Sequence, residues 1–253
     1  MNNTIISNVV REKVHRKDLY IIAAFSILIT LMMTGNQSTL TINGEPLTGY
    51  TNMLTITILL IGLAAGALTI ALSSSTIPNE YNRGTSHLIW IRGVKQSIYH
   101  ASLAVGSLTA ALIALGLLLL APICLMLANN QLPQILRLPV ACLLMALPIA
   151  IICLLVSGLS IRLPGLATGL FGASILIIGY AHPLLSTWAN LLSGTTSTIL
   201  RSLLLVVPDL YSLQMQSLAF LCGEDLAWHN ILGGLLGVYL LAQLFLLLKR
   251  KQA

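Results

Sequence analysis

The sequence predicts an all-α integral membrane protein with six transmembrane helices and both termini on the cytoplasmic side. Three observations carry that expectation. Apolar residues make up 57% of the 253 positions and charged ones only 8%. Six stretches free of Asp, Glu, Lys and Arg are each 23 residues or longer. The basic residues, finally, fall almost entirely on alternate connections. Because a soluble domain carries charge on about 25% of its residues, this chain has too little polar surface to dissolve a globule of its size.

The uncharged stretches cover 19–44, 46–79, 96–136, 138–161, 163–200 and 226–248. A helix needs about 20 apolar residues to cross the hydrocarbon of a bilayer, so spans are expected at 19–34, 53–75, 98–122, 139–160, 165–186 and 231–248. The third apolar run, 98–128, has neither a turn nor the length for two crossings; it ends near Pro122 or continues tilted. The first run reads as a retained span, since no small-residue cleavage site of a leader peptide stands out.

With six spans, Arg11, Lys13, Arg16, Lys17, Arg83, Arg92, Lys95, Arg162, Lys249, Arg250 and Lys251 share one face, which is 11 of the 13 basic residues. Only Arg137 and Arg201 fall on the other. Positive charge accumulates on the cytoplasmic side of membrane proteins, which places both termini inside, including the basic tail 249–253. The net charge of +6 is thus a topology signal and does not point to nucleic acid. The four cysteines have no metal-ligand spacing and read as small hydrophobes.

Between the spans the segments differ in character. Residues 1–18 set Ile5, Ile6, Val9, Val10 and Val14 beside a basic cluster, the pattern of a helix lying in the interface, although Lys13 intrudes on the apolar face. Residues 35–52 form an outside loop with a turn at Asn43-Gly44. The long outside segment 187–230 contains apolar pieces too short to span. Such pieces enter a leaflet only under protein cover, so two short helices are expected over the outer mouth within 199–222, with Asp209 and Tyr211 at their junction.

Helices in lipid associate through close backbone approach. Gly62 and Gly66, Gly165 and Gly169, and Gly233 and Gly237 each stand four apart and are candidate contact points, either within the monomer or at a subunit interface. No Asp, Glu, Lys or Arg lies at the centre of a span, where a gradient-driven carrier places one. His100 and His182 sit near helix ends and suit interfacial hydrogen bonds. There is no catalytic or metal motif and no GxxxxGK[ST] phosphate loop, so any work the chain does is driven by a partner or a gradient.

The segment 78–96 follows the second span. Pro78 suits a first helical turn, Glu80 lies near the positive end of the helix dipole, and Gly84 breaks the helix. Glu80 and Arg83 share a face at a spacing of three. An apolar stretch from Leu88 to Ile91 then runs to Arg92 and Lys95, and an apolar surface rimmed by charge suits a protein partner.

This segment resembles the first cytoplasmic loop of ABC-2 type transporter permeases. In that pattern an acidic residue, an aromatic neighbour, a Gly-Thr pair and an aliphatic stretch precede a basic-Gly-Val-x-basic turn. Glu80, Tyr81, Gly84, Thr85, Arg92, Gly93, Val94 and Lys95 match it. His87 and Trp90 stand where Leu is usual, and Lys95 replaces the common Arg. The plan of interfacial helix, six spans and inward termini is similar too, as is Val207-Pro208-Asp209-Leu210-Tyr211, where Val207 occupies a position frequently held by Asn.

The resemblance implies a type V exporter-like fold in a bacterial cytoplasmic membrane. It implies a permease paired with a second copy or a paralogue, surrounded by membrane lipids and bound to separate ABC ATPase subunits that carry ATP and Mg, with no cofactor in this chain. The partner would engage Glu80, Tyr81, Arg83, Gly84, Thr85, Arg92, Gly93, Val94 and Lys95, while Pro208, Asp209 and Tyr211 would form an external gate. Lipid-like, peptide or antibiotic export is the activity it implies. The residues alone also allow an ATP-independent channel or carrier, or a structural subunit of a larger complex. In a cysteine-free background, a single cysteine at Asn43 should react with an impermeant maleimide from outside intact cells and one at Asn82 only after permeabilisation. The reverse pattern would overturn the orientation.

Overall fold

A computed structural model of the chain describes residues 3–14, 24, 28, 41–42, 45–46, 50–84 and 93–248. Apart from Ala24 and Leu28, the expected span 19–34 lies outside these residues, as do the tail 249–253, Thr85 and Arg92. The described residues are almost wholly helical. They form α1 (Asn3–Val14), α2 (Tyr50–Ser74), α3 (Thr76–Asn82), α4 (Gln96–Leu118), α5 (Leu120–Ala128), α6 (Leu132–Ser160), α7 (Gly165–Tyr180), α8 (His182–Leu191), α9 (Thr195–Val206), α10 (Leu210–Cys222) and α11 (Trp228–Leu247). One antiparallel ladder of two-residue strands, β1 (Thr41–Ile42) and β2 (Glu45–Pro46), flanks the expected Asn43-Gly44 turn.

Among the described residues, four helical stretches are long and apolar enough to cross a bilayer: Tyr50–Asn82, Gln96–Ala128, Leu132–Ser160 and Trp228–Leu247, of 33, 33, 29 and 20 residues. Two bent pairs, α7 with α8 at 66° and α9 with α10 at 57°, reach that length only when each is taken as one broken span. The chain is therefore an all-helical, multi-pass membrane protein. Counting both pairs gives up to six spans among the described residues, one of them the unexpected α9 with α10, while 19–34 lies outside those residues.

Several boundaries differ from expectation for reasons carried by proline. A proline has no N–H to donate and its ring crowds the carbonyl four residues earlier. Pro122 thus breaks the third span after Leu118, and the chain restarts one residue on and continues as α5 to Ala128. Pro183 acts likewise: the fifth span ends at Tyr180, well short of the expected 186, and α8 leaves at the bend. In α6 the helix begins at Leu132, before the expected 139, with Pro133 in its first turn, and it runs on through Pro139 and Pro148.

The core lies where α2, α4, α6 and α10 meet, with Leu54, Ile58, Ile61, Ala114, Met145 and Leu221 among its buried members. A smaller cluster of Val9, Ile77, Tyr99, Leu103, Ile161 and Phe245 holds α1 to the basic end of the bundle. Here α1 lies along α4, because Gly106 leaves room for Val9. Lys13, the residue that seemed to spoil the apolar face, is only 4% exposed, and its Nζ donates to the Leu72 carbonyl at 3.0 Å. A cation near the C-terminal end of α2 is well placed against the helix dipole.

The expected glycines divide. A Cβ on Gly62 would collide with Tyr180 Oη and lie 2.8 Å from Gln214 Cδ, and one on Gly66 would lie 2.5 Å from Leu176 Cδ1. Gly165 sits against the backbone of Ser74, and Gly169 against its side chain. These four face neighbours within the chain. Gly233 and Gly237 have nothing within 4 Å, and the close approach on α11 belongs to Gly234 against Leu213. Gly66→Leu should lower the melting temperature and folded yield in detergent through overpacking of about 1–3 kcal/mol. Gly116→Leu, whose added Cβ meets nothing within 4 Å, should leave both near wild type.

Candidate functional site

The segment singled out in the sequence sits at the basic end, and α3 positions it. Only Ser75 separates α2 from α3, so this element is an extension of a membrane span. It stops where Gly84 adopts φ +70, a left-handed conformation that glycine takes without a Cβ penalty. Gly93, at φ +76, is left-handed too, just before α4. A Cβ at either glycine would meet nothing within 4 Å, so backbone conformation and not crowding accounts for the residue type.

Hydrogen bonds tie α3 to the first turn of α4. Tyr99 Oη donates to Glu80 Oε2 at 2.8 Å. Tyr81 Oη lies 2.7 Å from His100 Nε2 and accepts from Gln96 Nε2 at 3.0 Å. The Tyr81 and His100 rings are 5.8 Å apart between centroids, and Tyr99 and His100 are both buried. Arg83 reaches the other way, with Nη2 donating to Glu12 Oε1 of α1 at 3.1 Å. Glu80 and Arg83 thus share α3 without pairing with each other. Both ends of Arg83–Glu12 are well exposed, and such a pair contributes about 0–1 kcal/mol. Val94 packs on the Val9–Tyr99 cluster, while Lys95 stands exposed just before α4.

Sequence reasoning missed Tyr99, Gln96 and Glu12. The available signal was Tyr81 and His100 at the ends of two successive helical segments, because phenol and imidazole groups at facing helix ends suit mutual hydrogen bonding.

Pro208, Asp209 and Tyr211 stand at the break between α9 and α10, level with Gly179 on α7. Asp209 caps α10: Oδ1 accepts from the Ser212 amide at 2.9 Å and Oδ2 from Ser212 Oγ at 2.6 Å. Its Oδ2 also lies 3.3 Å from His182 Nδ1 at the start of α8. Asp209 therefore joins two helix beginnings. Pro208 presents its carbonyl to Gly179 on α7, and Tyr211 is half-buried in the first turn of α10.

Beside this junction opens a cleft of about 530 Å³ between α6, α10 and α11. Its polar lining comes from Asp209, Ser212, His229 and Asn230, and its apolar lining includes Ile151, Leu155, Leu213, Gly233, Gly237 and Leu241. The third glycine pair thus faces a groove and not a packed helix.

No family model matches the chain, and no curated protein or solved structure does so. Its chemistry is therefore read from these two regions alone. Loss of an N-cap acceptor costs a helix about 1 kcal/mol. Asp209→Ala should accordingly lower the melting temperature and speed amide exchange over Leu210–Cys222, while Asp209→Asn, which keeps an acceptor oxygen, should recover most of the loss. Equal behaviour of the two variants would mean that the charge facing His182, and not the cap, sets the stability of this junction.

Proposed function

We propose that the chain is the membrane-spanning permease subunit of an ATP-binding cassette transporter. It pairs with a second permease chain and works as an exporter of a lipid-like, peptide or antibiotic cargo across a bacterial cytoplasmic membrane. ATP and Mg belong to separate ATPase subunits, and this chain performs no hydrolysis. The observation that carries the reading is the construction of α3. It continues one membrane span, is hydrogen-bonded to the start of a second through Glu80 and Tyr81, and reaches the interfacial helix through Arg83. Force applied to so short an element moves three helices together. That is what a partner needs in order to drive transport through a chain without a nucleotide site.

An ATP-independent carrier draws support from a different observation, the two broken helix pairs. Carriers commonly build their sites on interrupted helices, and Asp209 and His182 supply ionisable groups near one such break. Transport by the purified chain in liposomes without any ATPase would favour this reading.

The transporter reading is tested at α3. Glu80→Lys and Gly84→Val should leave membrane insertion and permease pairing intact but reduce co-purified ATPase about tenfold, a change of ~1.4 kcal/mol. Asn43→Ala should change neither. Full ATPase recovery together with full transport in Glu80→Lys would make α3 a solvated connector and remove the main support for the proposal.

A further inference from the structure

The broken helices carry an ionisable pair to the middle of the membrane. Along α7 the contacts with α2 run in step: Gly165 lies against Ser74, Gly172 against Ile70, Leu176 against Gly66 and Tyr180 against Gly62. Gly62 is the midpoint of Tyr50–Ser74, about 18 Å from either end at a rise of ~1.5 Å per residue. The break after Tyr180 therefore falls at mid-depth. A second helix gives the same level for Asp209. α10 and α11 run antiparallel, since the Ala227 amide donates to Gln216 and Gly234 meets Leu213. Asp209, one turn before Leu213, is then level with Val238, at the middle of Trp228–Leu247. No carboxylate stands at the centre of a continuous span, but the break before α10 brings one there, deeper than the outer mouth expected from sequence.

Ionisable groups at this depth are costly and mark ion or proton pathways. Asp209 accepts from the Ser212 amide and hydroxyl and faces His182 Nδ1 at 3.3 Å. His182 Nε2 faces the Leu204 carbonyl at 3.4 Å. Both ring nitrogens thus point at acceptors with no hydrogen to give, and a neutral imidazole carries one N–H. The ring satisfies both partners only as imidazolium. Loss of the proton releases either α10 at Nδ1 or α9 at Nε2. The other titratable groups on the elements around the pair are Tyr180 on α7, against Gly62 and Gln214; Arg201 on α9, which donates to Asn190; Tyr211 in the first turn of α10; and His229 and Tyr239 on α11. None of these hydrogen-bonds to the pair among the described residues.

The cleft supplies a route to this level. Asp209 and Ser212 line it at mid-depth, while His229 and Asn230 line it at the start of α11, about 14 Å away along that helix at ~1.5 Å per residue. Phe245, near the other end of α11, packs in the cluster at the basic end. His229 therefore stands toward the opposite face, which the distribution of basic residues makes the outer one. The His182 and Asp209 side chains stay 21% and 32% exposed, so the pair is within reach of what enters.

We propose that the His182–Asp209 pair is a proton-binding site at mid-bilayer, loaded from the outer face through the cleft, whose proton fastens α8 to α9 and α10. Such a site serves an ATP-driven subunit and a gradient-driven carrier alike, so it rests on neither functional reading.

Ala181-His182 is the one Ala-His pair in the sequence. Isotope labels on the alanine carbonyl and on histidine therefore identify the His182 ring by NMR in the full chain without a mutation. In lipid nanodiscs the ring should be imidazolium at about pH 5 and neutral at about pH 9, either side of the ordinary histidine range. Asp209→Asn keeps an oxygen for the Ser212 cap and offers Nδ1 a donor, so the imidazolium signal at low pH should fall about tenfold. A ring in one protonation state at both pH values, or an imidazolium indifferent to Asp209→Asn, would overturn the proton site. The route is tested in a cysteine-free background. Gly237→Cys, whose Cβ enters open space at the level of Asp209, should react with an impermeant cationic thiosulfonate from outside intact cells. Leu236→Cys, on the exposed apolar face, should not, because a thiol in apolar surroundings stays protonated. Reaction of Gly237→Cys only after permeabilisation would place the opening on the inner face and overturn the outer route. So would reaction of Gly233→Cys, one turn nearer the outer face, without reaction of Gly237→Cys, because the route would then end short of the pair.

Discussion

Hydrocarbon offers no partner for a backbone N–H or C=O, and each such group left unmet costs several kcal/mol. The rest of this structure follows from how the chain meets that demand. Unbroken helices free of internal proline meet it automatically, and α2 and α4 are of that kind. Wherever a helix starts, stops or bends, a side chain supplies what the helix cannot. Lys13 Nζ and Thr76 Oγ1 both donate to the Leu72 carbonyl at the α2–α3 join. Asp209 accepts from Ser212 where α10 begins. Gln216 Oε1 accepts from the Ala227 amide just before α11, at 2.8 Å.

Buried polar residues that looked out of place in apolar runs are explained by the same demand. Gln214 is fully enclosed, and its Nε2 donates to the Ile58 carbonyl on α2 at 3.1 Å. Thr57, Thr69 and Ser73 return their hydroxyls to carbonyls four residues back, a habit of Ser and Thr in helices that removes the cost of burying them. None of these groups needs a functional explanation.

The large features were legible because they depend on composition and length. Four of the expected crossings, the helix at 3–14 and the helical character of 199–222 follow from apolar runs and the positions of charges. What could not be read depended on tertiary neighbours. Pro122 and Pro183 are visible in the sequence, yet a proline does not by itself end a membrane helix, since α6 runs on through Pro139 and Pro148. Glycine spacing had the same limit: Gly62–Gly66 and Gly233–Gly237 are identical patterns, but Tyr180 and Leu176 stand over the first and nothing stands over the second. Tyr99 and Glu12 escaped notice because their partners, Glu80 and Arg83, become neighbours only once α4 and α1 have docked.

The basic end of the bundle and the junction of the broken helices are built for different mechanical behaviour. At the basic end, α1, α3 and α4 are joined by Glu12–Arg83, Tyr99–Glu80 and the Tyr81–His100–Gln96 group, so a displacement of one is imposed on the others. The helix from Tyr50 to Asn82 runs the length of the bundle, and at its far terminus Tyr50 Oη donates to Gln134 in the first turn of α6. A rigid rod fastened at both ends carries motion across a bilayer without needing a chain of side-chain rearrangements in between. The broken helices have their breaks at Ala181 and at 207–209, and the junction there is held by the His182–Asp209 contact and a helix cap. Local opening draws on regions with few buried apolar contacts, and α9 and α11 expose most of their surface. Movement delivered by the rod would therefore meet least resistance at α9 and α11, since α10 shares the core with α2, α4 and α6.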